Sequence, residues 1–316
     1  MAKKASDPTK TGDRSKLKVW LDGKIIPYND AKVPILTHTM QYGSGIFEGI
    51  RANQTAKEAA IFRLKDHVRR FFTSAKIYSM DLHFTPRQVE AAIVEVVKIN
   101  KFKSCYIRPF AFYNTDQIGV STFGKPISTY VAAVPFGAYY GEGKEKGIRC
   151  KISSWHRINS SILPVEAKSS GNYNNSIIAN LEAHASGFDE GIFVSDEGYL
   201  SEGTTDNIFI VKDNKLLTPD DSADILLGIT RDSVIKIAED IGLTVKETEV
   251  HKEQLYSADE VFFTGTAAEV TPVVNIDGIK IGKGKPGPIT KMLADKYTDV
   301  VTGKNDIFGD WLTYVK

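Results

Sequence analysis

The apolar patterning of this chain breaks off between Pro135 and Gly147, where PFGAYYGEGKEKG offers four glycines, two adjacent tyrosines and a short charged run. Such a stretch has no face to bury, so it reads as a linker and commits the chain to two folded halves. With 316 residues and 42% hydrophobic content, each half is long enough for a core of its own. The reading is therefore an arm over 1–17, a small N-terminal domain over 18–133, an interdomain loop over 134–146, and a larger C-terminal domain over 147–316. The arm, MAKKASDPTKTGDRSK, is polar and carries Pro8 and Gly12, so it is expected to be disordered or extended.

Within the first half, KVWLDGKIIPY sets Asp22-Gly23 between two short apolar runs, the signature of a tight hairpin. Strand patterns are predicted to continue through AKVPILTHTM, GIFEGIRA and AAIFRL. Two helices follow, from Asp66 to about Met80 and from Pro86 to about Asn100. In the second of these Val89, Ile93, Val96 and Val97 recur at helical spacing and Thr85 is the expected N-cap. CYIRPFAFY and ISTYVAAVPF read as strands. In the second half a helix is expected from about Asn175 to Ser186 and another over TRDSVIKIAEDIG, among short strands broken by turns. The sum is an α+β chain of two α/β domains.

Charge excludes several partners. Forty basic against 39 acidic residues leave a net charge of +1, with no field to attract nucleic acid or a membrane surface. No apolar run approaches the ~20 residues that span a bilayer, and no apolar core follows the basic start, so a cytoplasmic protein is expected. Cys105 and Cys150 stand in apolar runs without CxxC spacing and read as reduced core residues. The histidines form no HExxH pair, GxSxG and Walker loops are absent, and no metal site is expected. Gly282, Gly284 and Gly287 satisfy GxGxxG. However, VVNIDGIKI before them reads as an antiparallel hairpin and too little chain follows for a dinucleotide domain.

Lys168, in EAKSSGNYNN, is followed by Ser169, Ser170 and Gly171, small residues that let backbone approach a flat ligand. Tyr173 adds a phenol for a ring oxygen. Glu202, in SEGTTDNIF, lies on a tight polar turn that would aim a carboxylate inward. An amine that can condense with an aldehyde and an anion for a pyridinium nitrogen are what pyridoxal phosphate chemistry requires. Each residue alone also reads as an ordinary loop charge. In LLGITRDSVI, Gly228, Ile229 and Thr230 open an amphipathic helix whose first amides suit a phosphate, while Thr230 reads equally as a plain N-cap. TGTAAE is a second amide-rich corner, or a simple strand-to-turn junction. Arg70, beside Arg69, is a phosphate donor candidate, though a solvated helix face suits at least one of the two.

Taken in order, YGSGIFEGIRA, the Arg70 helix, CYIRPF, GAYYG, EAKSSGNY, YLSEGTTDNIF, LLGITRD and FFTGTAAEVTPV resemble the branched-chain amino acid aminotransferases, within the fold-type IV, D-amino acid aminotransferase-like group of pyridoxal 5′-phosphate enzymes. The resemblance covers nearly the whole chain after about residue 18. It implies reversible ping-pong transfer of an amino group from L-leucine, L-isoleucine or L-valine to 2-oxoglutarate. Lys168 would be the catalytic lysine that holds the cofactor, with Glu202 at its pyridine nitrogen and Tyr173 at its ring oxygen. Arg70, Ile229, Thr230 and Thr266 would hold its phosphate. Tyr106, Thr266 and Ala267 would bind the α-carboxylate and Arg108 a second carboxylate. Phe47, Gly49, Tyr139 and Tyr173 would surround the donor side chain. Tyr42, Ile118 and Val120 would come from a neighbouring subunit, making a homodimer the minimum unit, with hexamers known in the family.

Against the family pattern, Thr205 replaces a glycine or serine, Asp206 a glutamate and Phe136 a tryptophan, and one residue is added around Asn114 to Gln117. The alternatives are a D-amino acid aminotransferase, an R-selective amine transaminase or an aminodeoxychorismate lyase of the same fold. From a different class comes a cofactor-binding protein without turnover. Tyr106, Arg108 and GIFEGIRA favour the L-branched-chain reading.

Overall fold

A computed structural model describes residues 13–316. Of the arm expected over 1–17, residues 1–12 lie outside the described residues. Arg14–Lys16 form a 3-10 turn capped by the Asp13 side chain, rather than an extended segment.

The chain separates into two compact units. One runs up to Phe136 and also takes in Ala167–Gly171 and Val300–Lys316, and the other comprises Gly137–Glu166 and Asn172–Asp299. The break at Phe136/Gly137 falls within the linker read from the sequence. The two later segments depart from that reading, which assigned everything after 147 to the C-terminal domain. Backbone pairing explains both. Leu312–Tyr314 is a strand of the first unit's sheet, and Ser169 bridges Ile46.

The first unit is built from β1 (Lys18–Leu21), β2 (Lys24–Pro27), α1 (His38–Tyr42), β3 (Gly45–Phe47), β4 (Ile50–Gln54), β5 (Ala59–Phe62), α2 (Leu64–Ile77), α3 (Pro86–Ile99), β6 (Cys105–Tyr113) and β7 (Ile127–Val134). Its eight-stranded sheet has the order Leu312–Tyr314, β5, β4, β6, β7, β1, β2, with β3 also on β6, and every pairing is antiparallel. The β1–β2 turn places Asp22 and Gly23 both at positive φ, the geometry the Asp-Gly pair foretells. Thr85 and Gln88 close a reciprocal capping box at the start of α3. Val89, Ile93, Val96 and Val97 on α3 and Leu64 and Val68 on α2 then pack on Ile50, Ile61, Ile107 and Val131 of the sheet. Each such side chain contributes about 1.5–3 kcal/mol by leaving water. AKVPILTHTM is not a strand. His38–Tyr42 is a helical turn, and Val33, Ile35, Leu36 and Met40 are exposed, so the apolar residues there face away from this unit's core.

The second unit contains α4 (Gly143–Lys146), β8 (Ile148–Ile152), α5 (Tyr173–Ala185), β9 (Glu190–Val194), β10 (Leu200–Gly203), β11 (Asn207–Lys212), β12 (Lys215–Thr218), α6 (Ile229–Asp240), β13 (Thr244–Glu247), α7 (Glu253–Tyr256), β14 (Glu260–Gly265), β15 (Glu269–Ile276), β16 (Ile279–Lys280) and α8 (Pro288–Val301). Its nine-stranded sheet is mixed, in the order β10, β9, β8, β15, β14, β11, β12, β13, with β16 on β15. The parallel pairs are β8–β9, β8–β15 and β12–β13. Ile192, Leu200, Ile208, Ile210, Val261, Phe263 and Val273 fill one core. The GxGxxG segment is no nucleotide loop: β15–β16 is the antiparallel hairpin expected. The Glu260 carboxylate takes the Ile289 and Thr290 amides at the start of α8, at 3.0 and 2.7 Å, leaving that helix end an anion already. Among the described residues no helix is long and apolar enough to cross a membrane.

Candidate active site

Alternation along β6 places Tyr106, Arg108 and Phe110 on one face and the buried Cys105, Ile107 and Pro109 on the other. The Arg108 guanidinium donates to Tyr106 Oη at 3.2 Å and lies over the Phe47 ring at 4.5 Å. Gly49 is what lets the Tyr106 hydroxyl in, since a Cβ at 49 would stand 2.0 Å from that oxygen. Phe136 leans on Tyr106 at 4.9 Å between centroids, with Arg51 on its face at 5.4 Å.

Lys168 belongs to this same unit. Its segment is held as an extra strand against β3: Phe47 N donates to Lys168 O at 3.0 Å and Ser170 N to Gly45 O at 2.8 Å. Lys168 N donates to Ser74 Oγ at 3.0 Å, and Ser169 Oγ meets the Tyr78 hydroxyl at 2.9 Å. With its backbone fixed on both sides, the amine points over the Phe47 ring, 5.3 Å from the centroid. Backbone meets backbone closely here: a Cβ on Gly43 would lie 3.2 Å from the Gly171 Cα, whereas a Cβ on Gly171 would meet only Gly43 O at 3.6 Å.

Two residues the sequence left unmarked, Glu48 and His67, join Arg70 in a cluster coupled to that lysine. Glu48 is fully buried and accepts from Arg70 Nε at 2.7 Å, Arg70 Nη2 at 3.0 Å and His67 Nδ1 at 2.7 Å. Burial alone would raise the Glu48 carboxyl, but the charges of Arg70 and His67 and their hydrogen bonds hold it well below the usual carboxylate range. Burial lowers His67, against the pull of Glu48. Burial, then the charge of Arg70, brings Lys168 down to about 8 against the opposing effect of Glu48 and Tyr106. Arg70, expected to face a phosphate, thus gives two of its donors to Glu48. No local motif announces this pairing, because Glu48 lies 22 residues before Arg70.

Glu202 lies in the other unit, at β10, and is buried. Arg157 Nη2 pairs with its Oε1 at 2.9 Å, while Asn207 Nδ2 at 3.0 Å and Leu226 N at 3.3 Å donate to Oε2. Arg157, itself buried and braced by a bond to Asp224 O at 3.2 Å, is a further residue that the sequence left unmarked. Tyr173 is the first residue of α5.

The N-cap of α6 is Gly228, without a side-chain bond, so Thr230 is not the cap but the second helical residue. The amides of Ile229 and Thr230 therefore open a twelve-residue helix that no side chain closes. Gly228 is required there, since a Cβ would fall 1.9 Å from Asn207 Oδ1. Thr266, Ala267 and Ala268 make the turn between β14 and β15, with Glu269 at φ +57 completing it. The Thr264 hydroxyl just before this turn is buried and without a hydrogen-bond partner. The first unit thus holds a buried amine of lowered basicity; the second, taken by itself, holds a fixed carboxylate, an uncapped helix end and an orphaned hydroxyl beside an amide-rich turn. A buried amine of that kind can condense with an aldehyde, and an open helix end can take a phosphate.

Tyr139 sets its ring edge-on to Tyr140, 4.8 Å away. Tyr42, Ile118 and Val120 are exposed, by 41%, 76% and 82%, and Gly119 N donates to the Tyr42 hydroxyl at 3.1 Å. Among the described residues no group of three or more His, Cys, Asp or Glu is placed to hold a metal ion.

Residues 45–276 match the model of the amino-transferase class IV family. The branched-chain-amino-acid aminotransferase of Pseudomonas aeruginosa is 42% identical over 299 residues, 94% of this chain and 97% of that protein. Among solved structures, the branched-chain aminotransferase of Thermoproteus uzoniensis with norvaline superposes with a TM-score of 0.91 at 44% identity, covering 95% of this chain and 99% of that one. The branched-chain amino acid aminotransferase of Thermobaculum terrenum, in its PLP-form, gives 0.91 at 35% identity, covering 96% of this chain and 100% of that one.

Proposed function

The chain belongs to the class IV aminotransferases, and from that premise we propose the roles of its residues in one reaction. It is a pyridoxal 5′-phosphate-dependent branched-chain-amino-acid aminotransferase that moves the amino group of L-leucine, L-isoleucine or L-valine to 2-oxoglutarate, reversibly and by a ping-pong route. The cofactor, when bound, supplies the electron sink that makes the donor's Cα–H acidic.

Lys168 carries the reading. An amine brought down to about 8 is neutral in roughly one molecule in ten at pH 7, against fewer than ~1 in 1,000 for an ordinary lysine. Its Nζ would hold the cofactor, and as a free amine it would take a proton from the donor's Cα and return it. Glu202, fixed by Arg157 and Asn207, accepts the hydrogen of the ring nitrogen. Tyr173 donates to the ring oxygen. Arg70, the Ile229 and Thr230 amides and Thr266 hold the phosphate. Tyr106 and the Thr266 and Ala267 amides orient the α-carboxylate, and Arg108 takes the second carboxylate of glutamate or 2-oxoglutarate. Phe47, Gly49 and Tyr139 give the donor side chain apolar surroundings, which separate neighbouring aliphatics by only about 1–3 kcal/mol per methylene.

The protein purified with pyridoxal 5′-phosphate is expected to show a visible band that L-leucine bleaches and 2-oxoglutarate restores. A panel of L-amino acids, D-amino acids and amines tests the donor class; a colourless protein, or bleaching by D-donors alone, defeats the reading. A homodimer is part of the same proposal, supported by the exposed Tyr42, Ile118 and Val120, and light scattering decides between monomer, dimer and hexamer. So is a cytoplasmic location, which the free Cys105 and Cys150 favour and cell fractionation tests.

A further inference from the structure

Tyr140 Oη lies 3.0 Å from Glu190 Oε2 and 2.9 Å from Asp206 Oδ2. A phenol has one hydrogen and donates it to one of them only. The other contact, equally short and buried, requires a hydrogen of its own on a carboxyl. Glu190 Oε1 already accepts from Thr204 Oγ1 at 2.5 Å, Gly191 N at 2.8 Å and Asn180 Nδ2 at 3.2 Å, a donor set that suits a carboxylate. Asp206 Oδ2 also accepts from Thr205 Oγ1 at 3.2 Å, so the two carboxyls share that hydrogen.

Asp206 touches both turns of the second unit named above. Its backbone oxygen accepts from Gly203 N at 2.7 Å, and its Oδ1 lies where a Cβ on Gly265 would be, 2.0 Å away. Four residues beyond Tyr140, Lys144 pairs with Glu269, the residue at positive φ that ends the 266–268 turn. The glycine-rich segment 137–147, which by composition should be loose, is thus tied at two points. Both ties end on the turns that bear Glu202 and Thr266.

We propose that Tyr140 and Lys144 are positioning residues that strap segment 137–147 onto these two turns, and that the strap sets donor specificity by fixing the neighbouring Tyr139 ring. This rests on the reading that Tyr139 faces the donor side chain. Burial, then the charges of Asp206 and Glu190, push the Tyr140 phenol well up, so its hydrogen stays in place.

The test uses the holoenzyme. Tyr140→Phe keeps the ring and removes the hydroxyl. It is expected to speed hydrogen exchange of the Gly141 to Gly147 amides and to raise KM for L-leucine about tenfold, as loss of one buried hydrogen bond does, with kcat and the KM for 2-oxoglutarate held within about twofold. Lys144→Met should act in the same direction. Unchanged exchange in Tyr140→Phe, or equal losses for every substrate, overturns the strap. If exchange rises while Tyr139→Ala leaves every donor's KM unchanged, the assignment of Tyr139 falls instead, and the specificity half of the proposal with it.

Discussion

Arg70 grips Glu48 with two donors, Nε on Oε1 at 2.7 Å and Nη2 on Oε2 at 3.0 Å, inside a site where Glu48 is fully buried. Planar, bidentate pairing is what makes a buried charge pair tolerable, because it satisfies several lone pairs at once. Removing one partner leaves the other charge uncompensated. Glu48→Gln is therefore expected to destabilise the protein by about 3–5 kcal/mol, and Glu48→Gln combined with Arg70→Met by less than Glu48→Gln alone. Urea unfolding of the three proteins measures the difference; a double-variant loss at least as large as that of Glu48→Gln would remove the coupling.

Lys168 links the site to pH. Its amine is brought from 10.5 to about 8 in the folded chain, so below about 8 the folded state must charge a buried group that the unfolded state charges freely. Stability from this group is full above 10.5 and is lost as pH falls through 8. Lys168→Met should stabilise the cofactor-free protein at pH 7 by up to about 3 kcal/mol, and the advantage should vanish by about pH 10.5. Unfolding curves at the two pH values check the sign; an advantage that grows with pH would contradict the burial of the amine.

Gly49→Ala is a narrow probe of Tyr106. Because the new Cβ would fall 2.0 Å from the Tyr106 hydroxyl, that oxygen must move, while the sheet around it need not. The expected outcome is a rise in KM of about tenfold for donor and acceptor alike, the effect of one misplaced hydrogen bond, with thermal stability nearly kept. A variant with wild-type KM values would take Tyr106 out of carboxylate recognition.

At the other unit, Gly228→Ala sets a methyl 1.9 Å from Asn207 Oδ1. Asn207 is one of the donors on Glu202, and Gly228 opens the helix whose amides are assigned to the phosphate. Affinity for pyridoxal 5′-phosphate should fall by about ten- to a hundredfold, from the loss of one to two such bonds. Fluorescence titration of the cofactor measures it, and unchanged affinity would detach α6 from the phosphate.

Lys168, Glu202, Thr230 and Thr266 drew attention in the sequence because each sits among small residues or at a helix start, where local chemistry leaves a mark. Glu48, His67 and Arg157 did not. Glu48 reads as an ordinary residue of GIFEGIRA until β3 and α2 bring it against Arg70, and Arg157 acquires meaning only opposite Glu202. The strand read over AKVPILTHTM failed for a related reason: its apolar residues alternate as a strand's would, yet Pro34 and the turn at His38 turn them outward, exposed. Local periodicity reports that a residue is apolar, and says nothing of which surface will cover it. The return of Ala167–Gly171 and Leu312–Tyr314 to the first unit was invisible for the same reason, since strand partners distant in sequence leave no local pattern.

That returning strand has a consequence for the ribosome. β5 is ready to pair as soon as Ala59–Phe62 have emerged, but its neighbour Leu312–Tyr314 follows about 250 residues later. At ~5–20 residues per second the edge of β5 stays uncovered for roughly 10–50 s in every round of translation. An open edge of that kind is a template for wrong pairing, so the nascent chain, more than the finished enzyme, is where this fold is vulnerable to aggregation and to competition from neighbouring chains on a polysome.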